Sequence, residues 1–366
     1  MNNDHSNTDL LIIAGHFHLP GKILNIRETG EGHINDTFLV ETDARQTFIL
    51  QRINHRIFTN VHGLMDNIGR VCRHINEMGQ SPSTKGKLIA PQIIEDLSRR
   101  LFHVDNDGNF WRCMTYIHHQ PPREIDINIA SEGGKAIGRF QKILSNLPGE
   151  RLHETIPNFH NLSLRLEALH EAIQKDVAGR LGEVLHLTAA IQKREEEMLL
   201  LHRLESEGKI PIRVAHNDTK INNVLFDNQG KAIALIDLDT VMSGSVLYDF
   251  GDAIRTLCNT AQEDESNLSL VRFRFDLFEA FASGYLLETK EILEPIEIEC
   301  LAFSCKLLSY IMAVRFLTDY LNGDVYFKTR SPMHNMHRAS NQLRLLEGIE
   351  YDYPSMQQAI GRLAKL

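Results

Sequence analysis

HNDTKINN, residues 216–223, sets one aspartate between a histidine and a lysine and closes on two asparagines. His216, Asp218, Lys220 and Asn223 fit the spacing HxDxKxxN, and the next stretch, VLFDNQGKAIALID at 224–237, reads as strand, turn and strand with the turn at DNQG. A hairpin of that kind folds the chain back on itself, so Asp237 returns beside Asn223 at the same end of the two strands. The grouping has the parts that phosphoryl transfer from a nucleotide requires: a base to orient the attacking hydroxyl, a cation for the moving phosphate and hard oxygens for magnesium. Asp218 suits the first role, Lys220 the second, and Asn223 with Asp237 the third. His216 reads as a brace for the loop, Asn222 falls outside the spacing, and Asp239 reads equally as a second metal oxygen or a structural carboxylate.

The rest of the chain fits a folded enzyme better than a nucleic-acid or membrane protein. Its 366 residues are 42% hydrophobic and 24% charged, an ordinary globular composition with length enough for two lobes. The formal charge is −9 and the 39 basic residues are scattered, which argues against a phosphate-backbone surface and hence against nucleic acid. MNNDHSNTDL lacks a basic segment leading into an apolar one, so a cytoplasmic protein without a secretory signal is expected. Cys300 to Leu317 is the most apolar later stretch, but Lys306 and Arg315 interrupt it, so a buried helix is expected rather than a membrane span. Five cysteines without a CxxC pair read as buried thiols, and 18 histidines without an HxxxH or HExxH pair give no metal site of their own.

Short β-rich runs fill the first third: Lys22 to Arg27, Thr37 to Val40, Thr47 to Ile53 after the ETDAR turn, Leu88 to Glu95, and Asn109 to Ile117 after DNDGN. Between them, Leu64, Ile68, Val71 and Ile75 space one amphipathic helix over Val61 to Met78. After QPPR the pattern turns helical, near 129–145, 161–175, 183–206, 268–287, 291–320 and 334–347, broken by β signal only between Arg213 and Thr240. The expected architecture is α+β, with a small antiparallel-sheet N-lobe over 1–117 and a larger, mostly helical C-lobe over 118–366.

HNDTKINN and the aspartate of LIDLDT resemble the catalytic loop and metal aspartate of the protein-kinase-like superfamily, in its aminoglycoside and choline phosphotransferase branch. The resemblance implies ATP and Mg2+ as cofactors and a structural aspartate at Asp249 in YDFGDAIR, with Asp252 as the other choice. GEGHIND at 30–36 is similar to a phosphate-covering loop, with Gly30 and Gly32 bringing amides to phosphate and Asn35 at the place of a third glycine. The family's third-strand lysine is missing from FILQRIN. Arg52 has the charge to replace it and Gln51 does not, and Asp66 is the early acid that the next helix offers as partner. The hinge that meets adenine falls at Thr115, Tyr116 and Ile117.

HNDTKINN, LDLDTVMSGSVLYDFGDAIR, RFLTDYLNGDVYFK and IPNFHN together resemble the N-acetylhexosamine 1-kinases within that branch, which phosphorylate the anomeric hydroxyl of a neutral amino sugar. His33, Arg315 and Tyr326 are then the sugar contacts beside Asp218, although Arg315 and Asp319 stand four apart and suit a mutual ion pair. Choline would need an aromatic cage, and Trp111 is the one tryptophan. An aminoglycoside would need an acidic pocket, and the acids of EILEPIEIE at 291–299 read as a solvated face. Another small alcohol such as methylthioribose, homoserine or an aminoglycoside is the alternative acceptor, and the missing lysine leaves room for a non-catalytic nucleotide-binding module.

Overall fold

A computed structural model of the protein describes residues 7–29, 34–79 and 87–365. After a short helix, α1 (Asn7–Ala14), come strands β1 (Ile23–Glu28), β2 (Asp36–Thr42) and β3 (Thr47–Ile53), the helix α2 (Val61–Gly79), and strands β4 (Ile93–Ile94), β5 (His103–Val104) and β6 (Phe110–Thr115). They form one antiparallel sheet in the order β1-β2-β3-β6-β4, with β5 also on β6. Alternation along β3 divides its faces. Phe48 and Leu50 join Leu10, Ile13 and Ala14 of α1 in one small core, while Ile53 joins Leu64, Ile68 and Val71 of α2 in the larger one. The DNDGN turn closes because Asp105 Oδ1 accepts the Asp107 and Asn109 N–H groups at 3.0 and 2.8 Å, with Gly108 at φ 79°.

Residues 116–126 carry neither helix nor strand, and α3 (Ile127–Leu144) opens the helical part, its first turn capped by Asp126. Then follow α4 (Leu162–Lys175), α5 (Leu181–Gln192), α6 (Glu195–Met198), α7 (Leu200–Ser206) and a β segment: β7 (Arg213–Ala215), β8 (Val224–Phe226), β9 (Ala232–Leu235) and β10 (Met242–Gly244). β8 pairs with β9 and β7 with β10. The chain ends in α8 (Val246–Leu257), α9 (Phe275–Thr289), α10 (Pro295–Leu321) and α11 (His334–Leu363).

Helix α10 is the axis of this part. By length and composition it would cross a membrane, yet 89% of its apolar window is buried inside the fold, against α4, α8 and α11. Each fully buried Leu, Ile or Phe there contributes about 1.5–3 kcal/mol. The charges that interrupt the run are accommodated: Lys306 pairs with Glu197 and lies 4.6 Å from the Tyr353 ring. Helices α3 and α9 cross at Gly134 and Gly284, where an added Cβ would stand 2.1 Å from a carbonyl oxygen of the other helix.

The sequence pattern differs from this fold at several places; the expected strand Leu88 to Glu95 keeps only Ile93–Ile94, and the helix expected near 268–287 begins at Phe275. Residues 183–206 make three helices instead of one, with a kink at Val184. Helix α11 runs on beyond residue 347 and through Pro354, because Met356, Ala359 and Ile360 remain buried past the proline while the proline itself sits on the outer face. Helix α8 takes in the whole YDFGDAIR stretch and runs past both its ends, capped by Ser245. Finally, Glu291, Glu294 and Glu299 of EILEPIEIE are exposed, as a solvated face would be, but Glu297 is buried: it forms a capping box with Glu294 and holds Arg213 of β7 at 2.6 Å.

Candidate active site

The HNDTKINN loop is fixed from beneath. Asp249 of α8, wholly buried, accepts the His216 N–H at 2.9 Å, the Asn217 N–H at 2.7 Å and the Gln141 side-chain amide at 3.0 Å. Asp252, the other aspartate of YDFGDAIR, instead pairs with Arg255 at 2.8 Å. The His216 ring is inserted between the strands: Nε2 lies 3.0 Å from the Ile236 carbonyl, and Nδ1 accepts the Asp218 N–H at 3.3 Å. That pair of contacts fits the neutral tautomer protonated at Nε2. Asn217 takes a left-handed φ of 65° and donates to the Thr240 carbonyl at 2.9 Å. Asp237 is also left-handed, at φ 64°. These contacts lift the Asp218 side chain towards open space, with 28% of it exposed.

The polar groups of the motif converge there. Lys220 Nζ and Asn223 Nδ2 both donate to Oδ2 of Asp218, at 2.9 and 3.1 Å, and no donor among the described residues reaches Oδ1. The Ile236 N–H donates to the Asn223 carbonyl at 2.9 Å, which holds the two ends of the hairpin together, and Asp237 Oδ2 stands 4.0 Å from Lys220 Nζ. Burial opposes ionisation of Asp218, but the Lys220 charge and its hydrogen bond outweigh it and hold the carboxyl below its ordinary value. Asp237 moves the other way: burial, then the carboxylates of Asp239 and Asp218, push it up to about 6. Its side chain is 43% exposed and no hydrogen-bond donor among the described residues reaches its oxygens, so the carboxylate is short of positive charge.

That shortage is one half of a test of fit for magnesium. The other is the Asn223 amide, whose nitrogen is committed to Asp218 and whose oxygen is thereby the group available for a cation. Among the described residues no three His, Cys, Asp or Glu side chains gather into a metal cage. Two hard oxygens suit an ion that brings its remaining ligands as phosphate and water.

On the N-lobe side several expected residues stand elsewhere. Arg52 shares the β3 face of Phe48 and Leu50, away from the catalytic loop, and bonds Asp36 on β2 at 2.7 Å, so it does not take the place of the missing lysine. Asp66, on the exposed side of α2, meets Arg70 and His153 instead, at 3.6 and 3.4 Å. The N–H groups of Thr115 and Tyr116 are spent within the sheet region, on the Gln92 and Thr47 carbonyls at 2.9 and 3.0 Å, and neither is left for a base. The Ile117 carbonyl lies 2.9 Å from the His119 ring nitrogen. Gly30, Gly32 and His33 lie outside the described residues.

Towards the helical part, His160 touches the loop, with Nε2 3.3 Å from the Asn217 carbonyl and its ring stacked on Tyr248 at 4.7 Å. Burial, then the nearby Arg315 charge, push His160 down to about 3, so the ring is neutral. The Arg315 guanidinium lies among three rings, 5.3 Å from Phe159, 5.7 Å from Tyr326 and 5.4 Å from Phe327. Tyr326 is 56% exposed. Asp319 does not pair with Arg315; it accepts the N–H groups of Val325, Tyr326 and Phe327 at 2.9, 2.8 and 3.0 Å. The sequence reading missed His160 and Gln141 as supports of the loop and Arg112 of β6, described below. Arg112 had one signal, a charge inside the otherwise apolar run FWRCM.

A sheet-capped helical fold with this loop defines a kinase-like phosphotransferase. The sequence matches the Phosphotransferase enzyme family over residues 25–282, more than half of its length, and the chain belongs to that family. Its fold is shared by amicoumacin kinase hAmiN, solved with AMP-PNP, Ca2+ and Ami, at 13% identity and a TM-score of 0.61 over 95% of this chain and 94% of that one. An aminoglycoside phosphotransferase from Alicyclobacillus acidocaldarius is similar to the same degree, at 13% identity and TM-score 0.61 over 96% of each chain. An uncharacterized kinase-like protein of Caenorhabditis elegans is 31% identical over 127 residues, which span 34% of this chain and 31% of that protein.

Proposed function

We propose that the protein transfers the γ-phosphate of ATP, bound with Mg2+, to the anomeric hydroxyl of an N-acetylhexosamine, N-acetylglucosamine or N-acetylgalactosamine, giving the sugar 1-phosphate. The observation that carries phosphotransfer is the asymmetry of Asp218: two donors on Oδ2 and, among the described residues, none on Oδ1. Oδ1 accepts the hydrogen bond of the incoming hydroxyl, aligns its lone pair with the phosphorus and receives its proton. With its pKa held down, Asp218 acts mainly by orientation, as suits a loose transition state in which the proton leaves late. Lys220 balances charge on the transferring phosphoryl group. Asn223 Oδ1 and Asp237 would hold the magnesium, which when bound neutralises charge between the phosphates.

The acceptor is supported by what the neighbouring surface disfavours. Phe159, Tyr326 and Phe327 make an aromatic cluster of the kind that takes a quaternary ammonium, but the protein's own Arg315 fills it. Arg165, close enough to Arg315 for its pKa to be lowered by burial and then by that charge, adds a second cation. Two guanidinium groups without a carboxylate partner among the described residues suit neither choline nor a polycationic aminoglycoside. They suit the hydroxyl and acetyl oxygens of a neutral sugar, and the resemblance of 315–328 to the N-acetylhexosamine 1-kinases points the same way.

An ADP-coupled screen over sugars and alcohols with Mg·ATP tests the proposal. N-Acetylglucosamine or N-acetylgalactosamine should give the highest kcat/KM. Turnover on galactose, homoserine or an aminoglycoside, with none on either N-acetylhexosamine, would overturn it.

A further inference from the structure

Although β3 carries no lysine and Arg52 faces away, a cation does stand next to that strand. Arg112, opposite Gln51 in the β3–β6 register, donates from Nε to Gln51 Oε1 at 2.9 Å and from Nη1 to Asp239 Oδ1 at 2.5 Å. The side chains of Arg112 and Asp239 are 2% and 4% exposed. The second oxygen of Asp239 accepts from Asn35 Nδ2 at 2.6 Å, and Asn35 Oδ1 in turn accepts the Asn54 N–H at 2.9 Å. On α2, the buried thiol of Cys72 lies within reach of the Arg112 charge.

A buried ion pair is a poor source of stability, since desolvating both charges offsets most of their attraction, but it fixes geometry sharply. This one joins three segments remote in sequence: β6, the residues flanking β2 and β3, and the turn that begins at Asp237. Asp239 follows Asp237 by two residues in one turn of 3₁₀ helix, so a shift of the sheet would be passed to the metal aspartate.

We propose that Arg112 and Asp239 form an inter-lobe latch that stands in for the missing third-strand lysine and its helix acid, positioning Asp237 against the sheet for the magnesium nucleotide. The inference rests on the Mg·ATP reading of the site. Arg112 is a positioning residue, acting through Asp239. The latch predicts that the benefit of magnesium to nucleotide binding, rather than nucleotide binding as such, depends on the pair.

Fluorescence titration with trinitrophenyl-ATP, in Mg2+ and in EDTA and without acceptor, reads this directly, alongside thermal melting and steady-state kinetics. If the wild type shows no magnesium-dependent binding, the reading of the site fails, and the latch with it. Given such binding, Arg112→Met should weaken affinity in Mg2+ by about tenfold while leaving affinity in EDTA nearly unchanged. It should also lower kcat with acceptor KM within about twofold of wild type. Arg112→Lys should recover most of the loss, and so should Gln51→Lys combined with Arg112→Met, which returns the cation to the third strand. A folded Arg112→Met protein with wild-type affinity in Mg2+ overturns the latch. So does a loss that is equal in Mg2+ and EDTA and unrelieved by lysine. Should Arg112→Met fail to fold, the lysine variant and the double variant decide. A folded double variant without magnesium-dependent affinity, or failure of even Arg112→Lys to fold, also overturns it.

Discussion

Two loops of the helical part are each organised by one buried aspartate that collects backbone N–H groups. In the catalytic loop Asp249 gathers His216 and Asn217; in the loop after α10, Asp319 gathers Val325, Tyr326 and Phe327. The difference is where the carboxylate comes from. Asp249 belongs to α8, which packs on α10, so the reacting loop is tied to the core of the helical part. Asp319 belongs to the last turns of the same helix that the loop leaves, with Asn335 of α11 beside it at 2.8 Å. A remote anchor makes position a property of the whole fold, whereas a local one lets the loop be rebuilt with little consequence elsewhere.

Substitutions can break or sharpen that contrast. The largest effect is expected at the residue the remote anchor serves: Asp218→Asn should lower kcat by about 10²- to 10⁴-fold with an unchanged melting curve. Near-full turnover would sink the orienting role. Next, Asp249→Ala leaves two buried backbone donors unpaired and should destabilise by about 2–4 kcal/mol, seen as an earlier urea midpoint, together with a fall in kcat. Asp319→Ala should destabilise by only about 1–2 kcal/mol, because water can reach the freed amides, and should raise acceptor KM more than it lowers kcat. If it instead abolished kcat while KM held, the two loops would not differ as described.

The smallest effect is a pH dependence beneath the catalytic loop. Tyr248, next to Asp249 in α8, donates to Glu205 at 3.0 Å, and burial pushes Glu205 up to about 7. A folded carboxyl with a raised pKa binds more protons than the unfolded one, so its stabilisation is complete below about pH 4.5 and lost as the pH rises through about 7. Allowing for its partial exposure, about 1 kcal/mol should be lost between pH 5 and 7.5. Glu205→Gln should flatten that portion of a melting-temperature profile; an unaltered slope would assign the dependence to other groups.

The 224–237 hairpin was legible because its turn is closed by local bonds, whereas the Asp249 anchor beneath the preceding loop lies over thirty residues on. Asp227 closes the turn by accepting the Gln229 and Lys231 N–H groups, and the four motif residues bring their own chemistry. Arg52 was misread because strand parity says that two neighbours face oppositely, not which face meets the site. Helix α1 decides that by covering the Phe48 and Leu50 side, and its eight residues are too few for a clear apolar period. Arg112 escaped notice since its partner Asp239 lies 127 residues on, a pairing invisible in either segment alone. The Asp319 bonds show the converse limit: spacing allowed an Arg315 pair, but three nearby amides held the carboxylate instead.

The two left-handed residues of the site, Asn217 and Asp237, narrow the substitutions it can accept beyond what charge alone would suggest. Asparagine, aspartate and glycine are the residues that enter this backbone region readily. Asp237→Glu keeps the carboxylate and would ordinarily pass as conservative, yet it places a longer, less tolerant side chain on a positive φ. Asn217 looks in sequence like a mere spacer between histidine and aspartate, yet it meets a demand of backbone handedness. Variant libraries spanning 216–239 should therefore retain Asn, Asp or Gly at both positions even when selected only for folding.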